Sequence, residues 1–302
     1  MKVNVLDVKN ISKKRNHTDI YTDISLKVQK GDCYAILGAD DEGKTSVLNA
    51  IMGLDRPDNG EIFLFGENIK NTKSIKSIKN RVGFVPDDLL CFENMTGAEL
   101  LDMTIQFRGA DDCFKFAETL IDYFQINPAL QLQDMDDDMN KCTYIINAFL
   151  TRPELIILDE PFNFLNPKSI KRLKKLIGAY MQMGKTIIIV HDNYDGVSDI
   201  CTKFSVIKEH KQLRCDESPS MYEDMKIIVA EGIKNDNIIK DMLKYASEKK
   251  CILKIIKRDS DQTAMIFKGK ITMLNGLLSN MECENYEIRN VPVQAQIMEL
   301  YD

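Results

Sequence analysis

The periodicity of apolar and polar residues changes several times along this chain of 302 residues. Val3–Val8 and Ile24–Val28 alternate between apolar and polar residues, which predicts antiparallel strands. Largely apolar runs at Cys33–Leu37, Leu155–Leu158 and Thr186–Val190 predict strands that are buried on both faces. Because helical periodicity separates these runs, the pattern predicts an α/β protein with a parallel core sheet.

Helical spacing of apolar residues extends from Thr96 to about Phe124 and returns from about Met139 to Thr151. This spacing predicts a helical subdomain at about residues 88–150. Ser218–Ser220 has the composition of a linker, so a first domain is predicted over residues 1–217 and a small α/β accessory domain over 221–302. In the accessory domain the pattern predicts strands at 226–230, 251–256, 264–267 and 286–291, and helices at 238–245, 271–278 and 293–301. We interpret this domain as a packing or dimerisation module; a regulatory ligand site is the alternative.

Candidate chemistry begins directly after the first buried strand, where the sequence reads GADDEGKT and then continues as a helix. This segment fits G-x-x-x-x-G-K-[ST], a loop whose backbone amides and following helix N-terminus face an anion. Lys44 would reach the outer phosphates of a nucleotide, and the hydroxyl of Thr45 would hold Mg²⁺. The predicted nucleotide-binding residues of the loop are Gly38, Asp41, Gly43, Lys44, Thr45 and Ser46.

Composition excludes several other classes of protein. The net charge of −6 and the pI near 5.3 give no bulk attraction to nucleic acid, so no nucleic-acid partner is expected. The eight cysteines stand singly, without a C-x-x-C pair, which favours reduced thiols over a metal site. The sequence has no apolar run of the length that a membrane helix needs, and the first residues read as a strand. We therefore expect a cytoplasmic protein, and any membrane role must run through another chain.

The order of three motifs is more specific than any one of them. GADDEGKT, LIILDEP and TIIIVH follow one another as in the nucleotide-binding subunit of ABC transporters, which residues 1–215 resemble. KNISK, DISLKVQKGD and ENMTGAELL are smaller matches to the same family. The resemblance implies a P-loop NTPase fold of ABC type, with a parallel core sheet, an antiparallel β subdomain and a helical subdomain. It also implies ATP and Mg²⁺ as ligands.

The resemblance implies a role for residues at the ends of the predicted strands. Asp159 corresponds to the carboxylate that acts on Mg²⁺ through the ligands around the ion, Glu160 to the general base that polarises the attacking water, and His191 to the residue that contacts the γ-phosphate. Asp87 stands where the family has a glutamine, and its carboxylate could still hold Mg²⁺ or its water. Arg15 aligns with the residue that stacks on adenine, although a solvated basic loop is an equal interpretation.

Three departures from the family pattern bear on function. Asp41 replaces a glycine, which adds a carboxylate beside a polyanionic ligand and predicts weaker ATP binding. Met135–Met139 replaces the L-S-G-G-Q signature with three aspartates, which predicts loss of its grip on the ATP of a partner subunit. The same aspartates suit a helix N-terminus, so capping is a second role that is compatible with that loss. Asn166 replaces an aspartate in the segment before the next helix, a milder change.

The resemblance implies an ATP-binding subunit of an ABC transporter, of the exporter type for drug or antimicrobial-peptide resistance. Its expected partners are a membrane permease, which holds it at the inner face of the membrane, and a second ATP-binding subunit with an intact signature, or else a second copy of this chain. The first alternative is a pseudo-ATPase, a regulatory or structural subunit with weak nucleotide binding. The second is a soluble ABC ATPase of translation or DNA repair, which the single P-loop disfavours.

Overall fold

The structure is a computed structural model. It describes residues 4–70, 77–88, 92, 94–194, 196–216, 225–233, 236–249, 251–258, 262–279, 281 and 283–290. The chain forms two compact units, Met1–Glu217 and Ser218–Asp302, which are described separately. Among the described residues, each helix is too short or too polar to span a bilayer.

One sheet of ten strands organises the first unit, in the order β5-β4-β1-β2-β10-β9-β3-β8-β7-β6. The five strands from β9 to β6 run parallel, whereas β1, β2, β4 and β5 pair antiparallel. The strands are β1 (Asn4–Arg15), β2 (Thr18–Gln29), β3 (Cys33–Leu37), β4 (Asn59–Leu64), β5 (Glu67–Asn68), β6 (Val82–Val85), β7 (Leu155–Asp159), β8 (Thr186–His191), β9 (Lys203–Lys208) and β10 (Lys211–Asp216). This mixed α/β sheet confirms the predicted fold class.

The apolar runs form the centre of the parallel region. Every residue of β3, β7 and β8 is buried, as expected for strands that are covered on both faces. The alternating β1 and β2 are longer than predicted, because they continue as a hairpin through Asn16 and His17, both in left-handed backbone. The sheet therefore joins a buried parallel core to a more exposed antiparallel edge.

Helices cover this sheet and supply a separate helical region. The first unit contains α1 (Lys44–Ile51), α2 (Gly97–Arg108), α3 (Phe114–Phe124), α4 (Asp137–Phe149) and α5 (Pro167–Gln182). The helical periodicity predicted from Thr96 to about Phe124 corresponds to two successive helices, α2 and α3. Thr96 begins α2 with a capping box, and Gly109, in left-handed backbone at φ 61°, ends it.

The second unit is built on a four-stranded antiparallel sheet in the order β12-β13-β11-β14. Its elements are β11 (Met225–Glu231), α6 (Asp236–Glu248), β12 (Ile252–Arg258), β13 (Gln262–Lys268), α7 (Ile271–Leu278) and β14 (Asn285–Asn290). Apolar residues of both helices and three strands form its core, including Ile228, Met242, Phe267 and Leu274. The predicted linker at 218–220 and the predicted helix at 293–301 lie outside the described residues.

Candidate functional site

The register of the parallel strands brings the predicted site residues to one edge of the sheet. In neighbouring strands the pairs at this edge are Leu37 with His191, Asp159 with Val190, and Val85 with Leu158. The loops that follow β3, β6, β7 and β8 therefore meet where ligands bind in sheets of this kind. A cavity of about 390 Å³ lies there, lined by Ile20, Asp40, Asp41, Gly43, Lys44, Thr45, Ser46, Asp87, Glu160 and His210.

The loop before α1 is held close to β2 by a residue that must be glycine. Gly43 has φ 88°, and a Cβ atom there would lie 2.1 Å from the carbonyl oxygen of Ile20. Asp41 also has left-handed backbone, with φ 64°, so aspartate accommodates the predicted loop conformation. The carboxylate of Glu42 accepts a hydrogen bond of 2.8 Å from the amide of His210. Of the three acids in this loop, Asp40 and Asp41 line the cavity.

Lys44 is the buried cation of the cavity wall. Its Nζ donates to the carbonyl oxygen of Gly38 at 2.5 Å and to that of Ala39 at 3.2 Å. It also lies 3.2 Å from Oε1 of Glu160, in an ion pair whose two side chains are almost completely buried. The structure thus joins the end of β3 to the end of β7 through a single ammonium group.

Glu160 contacts the predicted histidine as well as Lys44. Its Oε2 lies 2.7 Å from Nδ1 of His191. Burial raises the pKa of Glu160, but the hydrogen bond from His191 and the charge of Lys44 outweigh that effect and hold the pKa below its ordinary value. A Cβ atom on Gly196 would lie 2.3 Å from Nε2 of His191, so the ring packs directly against this glycine. Glu160 is therefore an ionised carboxylate at neutral pH, oriented by two neighbours.

Asp159 lies deeper than Glu160 and has the opposite pKa shift. Burial raises its pKa to about 6, the nearby carboxylates of Asp87 and Glu160 add to the rise, and a hydrogen bond from the hydroxyl of Thr45 opposes it. Its Oδ1 atom is buried without a hydrogen-bond partner among the described residues. A buried, unpaired carboxylate oxygen beside a hydroxyl fits a hard divalent cation such as Mg²⁺.

Three predicted residues lie at the margins of this arrangement. Ser46 lines the cavity at the start of α1, and Asp87 lines it with Oδ1 3.4 Å from Nδ2 of Asn163. Arg15 is exposed at the end of β1 and is not one of the residues that line the cavity. The proposed stacking of Arg15 on adenine therefore remains a prediction.

Two residues of the site were missed by sequence analysis. His210 lines the cavity from the turn between β9 and β10, and no motif in the sequence indicates this.

Lys141 of α4 is fully buried, with Nζ 3.2 Å from the carbonyl oxygen of Pro86 and 3.5 Å from that of Asp159. Burial lowers its pKa, while Asp87, Asp159 and Glu160 partly restore it. The sequence does contain an indication that Lys141 is buried, because its spacing places it on the same face of α4 as the apolar residues Ile145 and Ala148.

The aspartates of Met135–Met139 have structural roles within the chain. Asp136 is the N-cap of α4 and accepts a hydrogen bond of 2.7 Å from the amide of Met139, which confirms the predicted capping. Asp138 accepts three hydrogen bonds from the start of α5, at 2.7 Å from the amide of Asn166, 2.8 Å from its Nδ2 and 3.0 Å from Oγ of Ser169. Asn166 itself caps α5. Asp138 thus ties α4 to α5.

Comparison with known proteins agrees with this geometry. Residues 21–163 match the ABC transporter family. The chain is 26% identical over 212 residues to the uncharacterised ABC transporter ATP-binding protein YcbN of Bacillus subtilis, covering 69% of this chain and 68% of that protein. It is 27% identical over 221 residues to the Nod factor export ATP-binding protein I of Burkholderia lata, covering 70% and 71%. Among solved structures, a dimeric ATP-binding cassette with bound ADP and Pi shares the fold, with a TM-score of 0.64 and 18% identity over 70% of this chain and 97% of that one.

Proposed function

Since this chain belongs, through residues 21–163, to the ATP-binding subunits of ABC transporters, we propose that its cavity binds Mg·ATP and hydrolyses it to drive a separate membrane permease. The observation that carries this proposal is the contact network of Lys44, Glu160 and His191 at the meeting point of β3, β7 and β8. A buried cation, an ionised carboxylate and an imidazole stand beside a loop with the conformation and helix that phosphate binding requires.

Lys44 and the loop would bind the phosphates. The amides at the start of α1 carry the positive end of the helix dipole, and Lys44 adds a full charge. Polyphosphate would compete with Glu160 for Lys44, because the ammonium group pairs with that carboxylate at 3.2 Å. Asp40 and Asp41 oppose binding by like-charge repulsion, so we expect weak affinity.

Mg²⁺ would be held by Thr45, Asp159 and Asp87, whose oxygen atoms are the ligands that this cation prefers. When bound, it would neutralise charge that develops on the transferred phosphoryl group. The unpaired Oδ1 atom of Asp159 supports this assignment.

Glu160 is proposed as the general base, and His191 orients it through their contact at 2.7 Å. The predicted contact of His191 with the γ-phosphate stays a prediction, because His191 is not one of the residues that line the cavity. The lowered pKa keeps Glu160 ionised at neutral pH, so it can accept a hydrogen bond from the attacking water. His191 fixes one carboxylate oxygen at 2.7 Å, and Lys44, on moving to phosphate, would release the other. One oxygen of Glu160 would then face the water while the other stays anchored.

The acidic segment Met135–Met139 supports an asymmetric assembly. In a closed pair of cassettes each ATP would be covered by this segment of the other subunit, and carboxylates there would repel its phosphates. We therefore propose a heterodimer in which a partner with an intact signature covers the ATP held at Lys44, and the site covered by Asp136–Asp138 is silent. The export role of the Burkholderia relative supports the exporter type, with this chain attached peripherally to its permease.

A pseudo-ATPase is the second candidate function, and the acids of the site favour it. Asp40 and Asp41 line the cavity, and Asp137 lies exposed in the first turn of α4. If these charges prevent productive ATP binding, the chain would serve as a structural subunit.

Isothermal calorimetry with Mg·ATP tests the primary proposal. We expect wild type to bind in the high micromolar range or weaker, and Lys44→Ala to bind at least tenfold more weakly, because one buried cation is lost. Lys203→Ala is the matched control, since Lys203 is a partly buried, ion-paired lysine at the amino end of β9, 3.0 Å from Asp32. Equal binding by wild type and Lys44→Ala would contradict a functional site, whatever the control does.

A further inference from the structure

Lys141 has no role in the chemistry proposed above, although removing its ammonium group from water costs free energy. Its side chain is fully buried in α4, which packs against β6. An ammonium group loses its hydration on burial, and proteins keep such a group only where other charges and hydrogen bonds compensate. Lys141 needs partners at this position, and its hydrogen bonds to the carbonyl oxygens of Pro86 and Asp159 lead to the edge of the sheet where the cavity lies.

These hydrogen bonds hold the backbone behind the carboxylates. The carbonyl oxygen of Pro86 directly precedes Asp87, and the carbonyl oxygen of Asp159 directly precedes Glu160. Asp87, Asp159 and Glu160 all act electrostatically on the ammonium group. Lys141 therefore approaches the acidic side of the site from the protein interior, whereas Lys44 lies on the loop side.

The balance of charge shows why a second cation matters. Carboxylates dominate the cavity: Asp40, Asp41, Asp87 and Glu160 line it, and Asp159 lies behind them. Among the described residues that line the cavity, Lys44 is the only lysine, and Glu160 pairs with it. A polyphosphate that enters this cavity meets like charges that a single lysine does not offset.

We propose that Lys141 is a resident counter-cation of the nucleotide site, whose charge offsets Asp87, Asp159 and Glu160 and so allows this acidic cavity to accept polyphosphate before a metal ion contributes. The inference rests on the proposed binding of ATP in this cavity. Lys141 acts through the carboxylates, and is a positioning and charge-balancing residue without contact to the phosphates. Loss of its charge should weaken metal-free ATP binding most, because added Mg²⁺ neutralises the same carboxylates.

The test compares ATP binding by calorimetry in EDTA and in excess Mg²⁺ for wild type, Lys141→Met and Lys141→Gln. Met retains the apolar stem, and Gln retains hydrogen-bond donors for the two carbonyl oxygens without a charge. We expect both variants to raise the Kd for ATP about tenfold in EDTA and less than threefold in Mg²⁺. Lys203→Met, which removes a partly buried, ion-paired lysine at the amino end of β9, should leave both constants within twofold of wild type.

Other outcomes would overturn the proposal in distinguishable ways. Equal weakening in EDTA and in Mg²⁺ would assign Lys141 a purely structural role, and wild-type affinity in Lys141→Gln would assign it hydrogen bonding alone. If both Lys141 variants bind ATP with wild-type affinity in EDTA and in Mg²⁺, the charge of Lys141 does not contribute to ATP binding. If the proposed function itself fails, wild type and Lys44→Ala bind ATP equally in both media.

A measurement on wild type makes the test independent of whether the variants fold. The side-chain nitrogen of ¹⁵N-labelled lysine distinguishes a charged ammonium from a neutral amine. At pH 7 we expect Lys141 to give a slowly exchanging ammonium signal, distinct from the signal lost in Lys44→Ala, that shifts when ATP is added in EDTA. A neutral amine, or an ammonium signal that ignores ATP, would overturn the inference.

Discussion

At the residue scale, the pKa values of the neighbouring carboxylates Asp159 and Glu160 are shifted in opposite directions because their surroundings differ. Glu160 is paired with Lys44 and His191, whereas Asp159 is buried beside other acids, with a pKa of about 6. An acid whose pKa is higher in the folded state than in the unfolded state binds more protons when folded. Its contribution to stability is therefore present at low pH and is lost as pH rises through about 6.

The substitution Asp159→Asn should remove the loss of folding stability that accompanies ionisation of this carboxyl group. In EDTA at pH 7.5 we expect the variant to exceed wild type in unfolding free energy by up to about 3 kcal/mol, the equivalent of a rise of roughly two pKa units. The gap should narrow as pH falls from about 6 and should vanish below the ordinary pKa of 3.8, where the wild-type carboxyl is protonated in both states. Urea denaturation at several pH values measures this difference in unfolding free energy. Parallel curves for the two proteins across this range would mean that Asp159 is not the titrating group.

At the scale of elements, Asp138 joins the first turn of α4 to the N-terminus of α5. Its carboxylate accepts three hydrogen bonds, including one from the amide of Asn166. Asp138→Ala removes all three, and we expect the start of α5 to open more readily by about 2 kcal/mol. Amide exchange measured by mass spectrometry should then accelerate in peptides covering Asn166 and Ser169. Asp137→Ala, an exposed acid in the same turn, should leave that exchange unchanged.

The residues that the sequence predicted well are those whose position follows from one strand. An apolar run that ends in two acids located Asp159 and Glu160, because parallel strands place their carboxyl ends at one edge. Lys141 could not be located in this way. A lysine in a helix is ordinarily solvated, and only the packing of α4 against β6 buries this one. His210 was missed for the same reason, since it reaches the cavity through the pairing of β10 with β9 and β2.

At the scale of the whole molecule, the acidic segment should prevent two copies of this chain from closing on ATP. Each ATP would face Asp136–Asp138 of the other copy, and three carboxylates near a polyphosphate repel it strongly. We therefore expect that ATP does not change the mass of Glu160→Gln measured by light scattering, and that the isolated protein has negligible ATPase activity. An ATP-dependent increase to twice the mass would contradict the asymmetric assembly.

A variant that keeps the tie between α4 and α5 sharpens this experiment. Asp136→Ser with Asp137→Gly, added to Glu160→Gln, removes two charges and leaves Asp138 in place. If ATP raises the mass of this variant but not that of Glu160→Gln alone, the acids are the barrier to closure. If neither responds, the barrier lies elsewhere on the surface.

The pairing of β3 with β8 has a consequence for folding during translation. Cys33–Leu37 pairs with Ile187–His191, residues that are synthesised about 150 positions later. At roughly 5–20 residues per second, the nascent chain waits on the order of 8–30 seconds before this apolar strand obtains its neighbour. During that interval the future phosphate loop is attached to an unpaired hydrophobic segment, which makes this stretch a target for chaperones at the ribosome. Nucleotide cannot assist folding until most of the first unit has been translated.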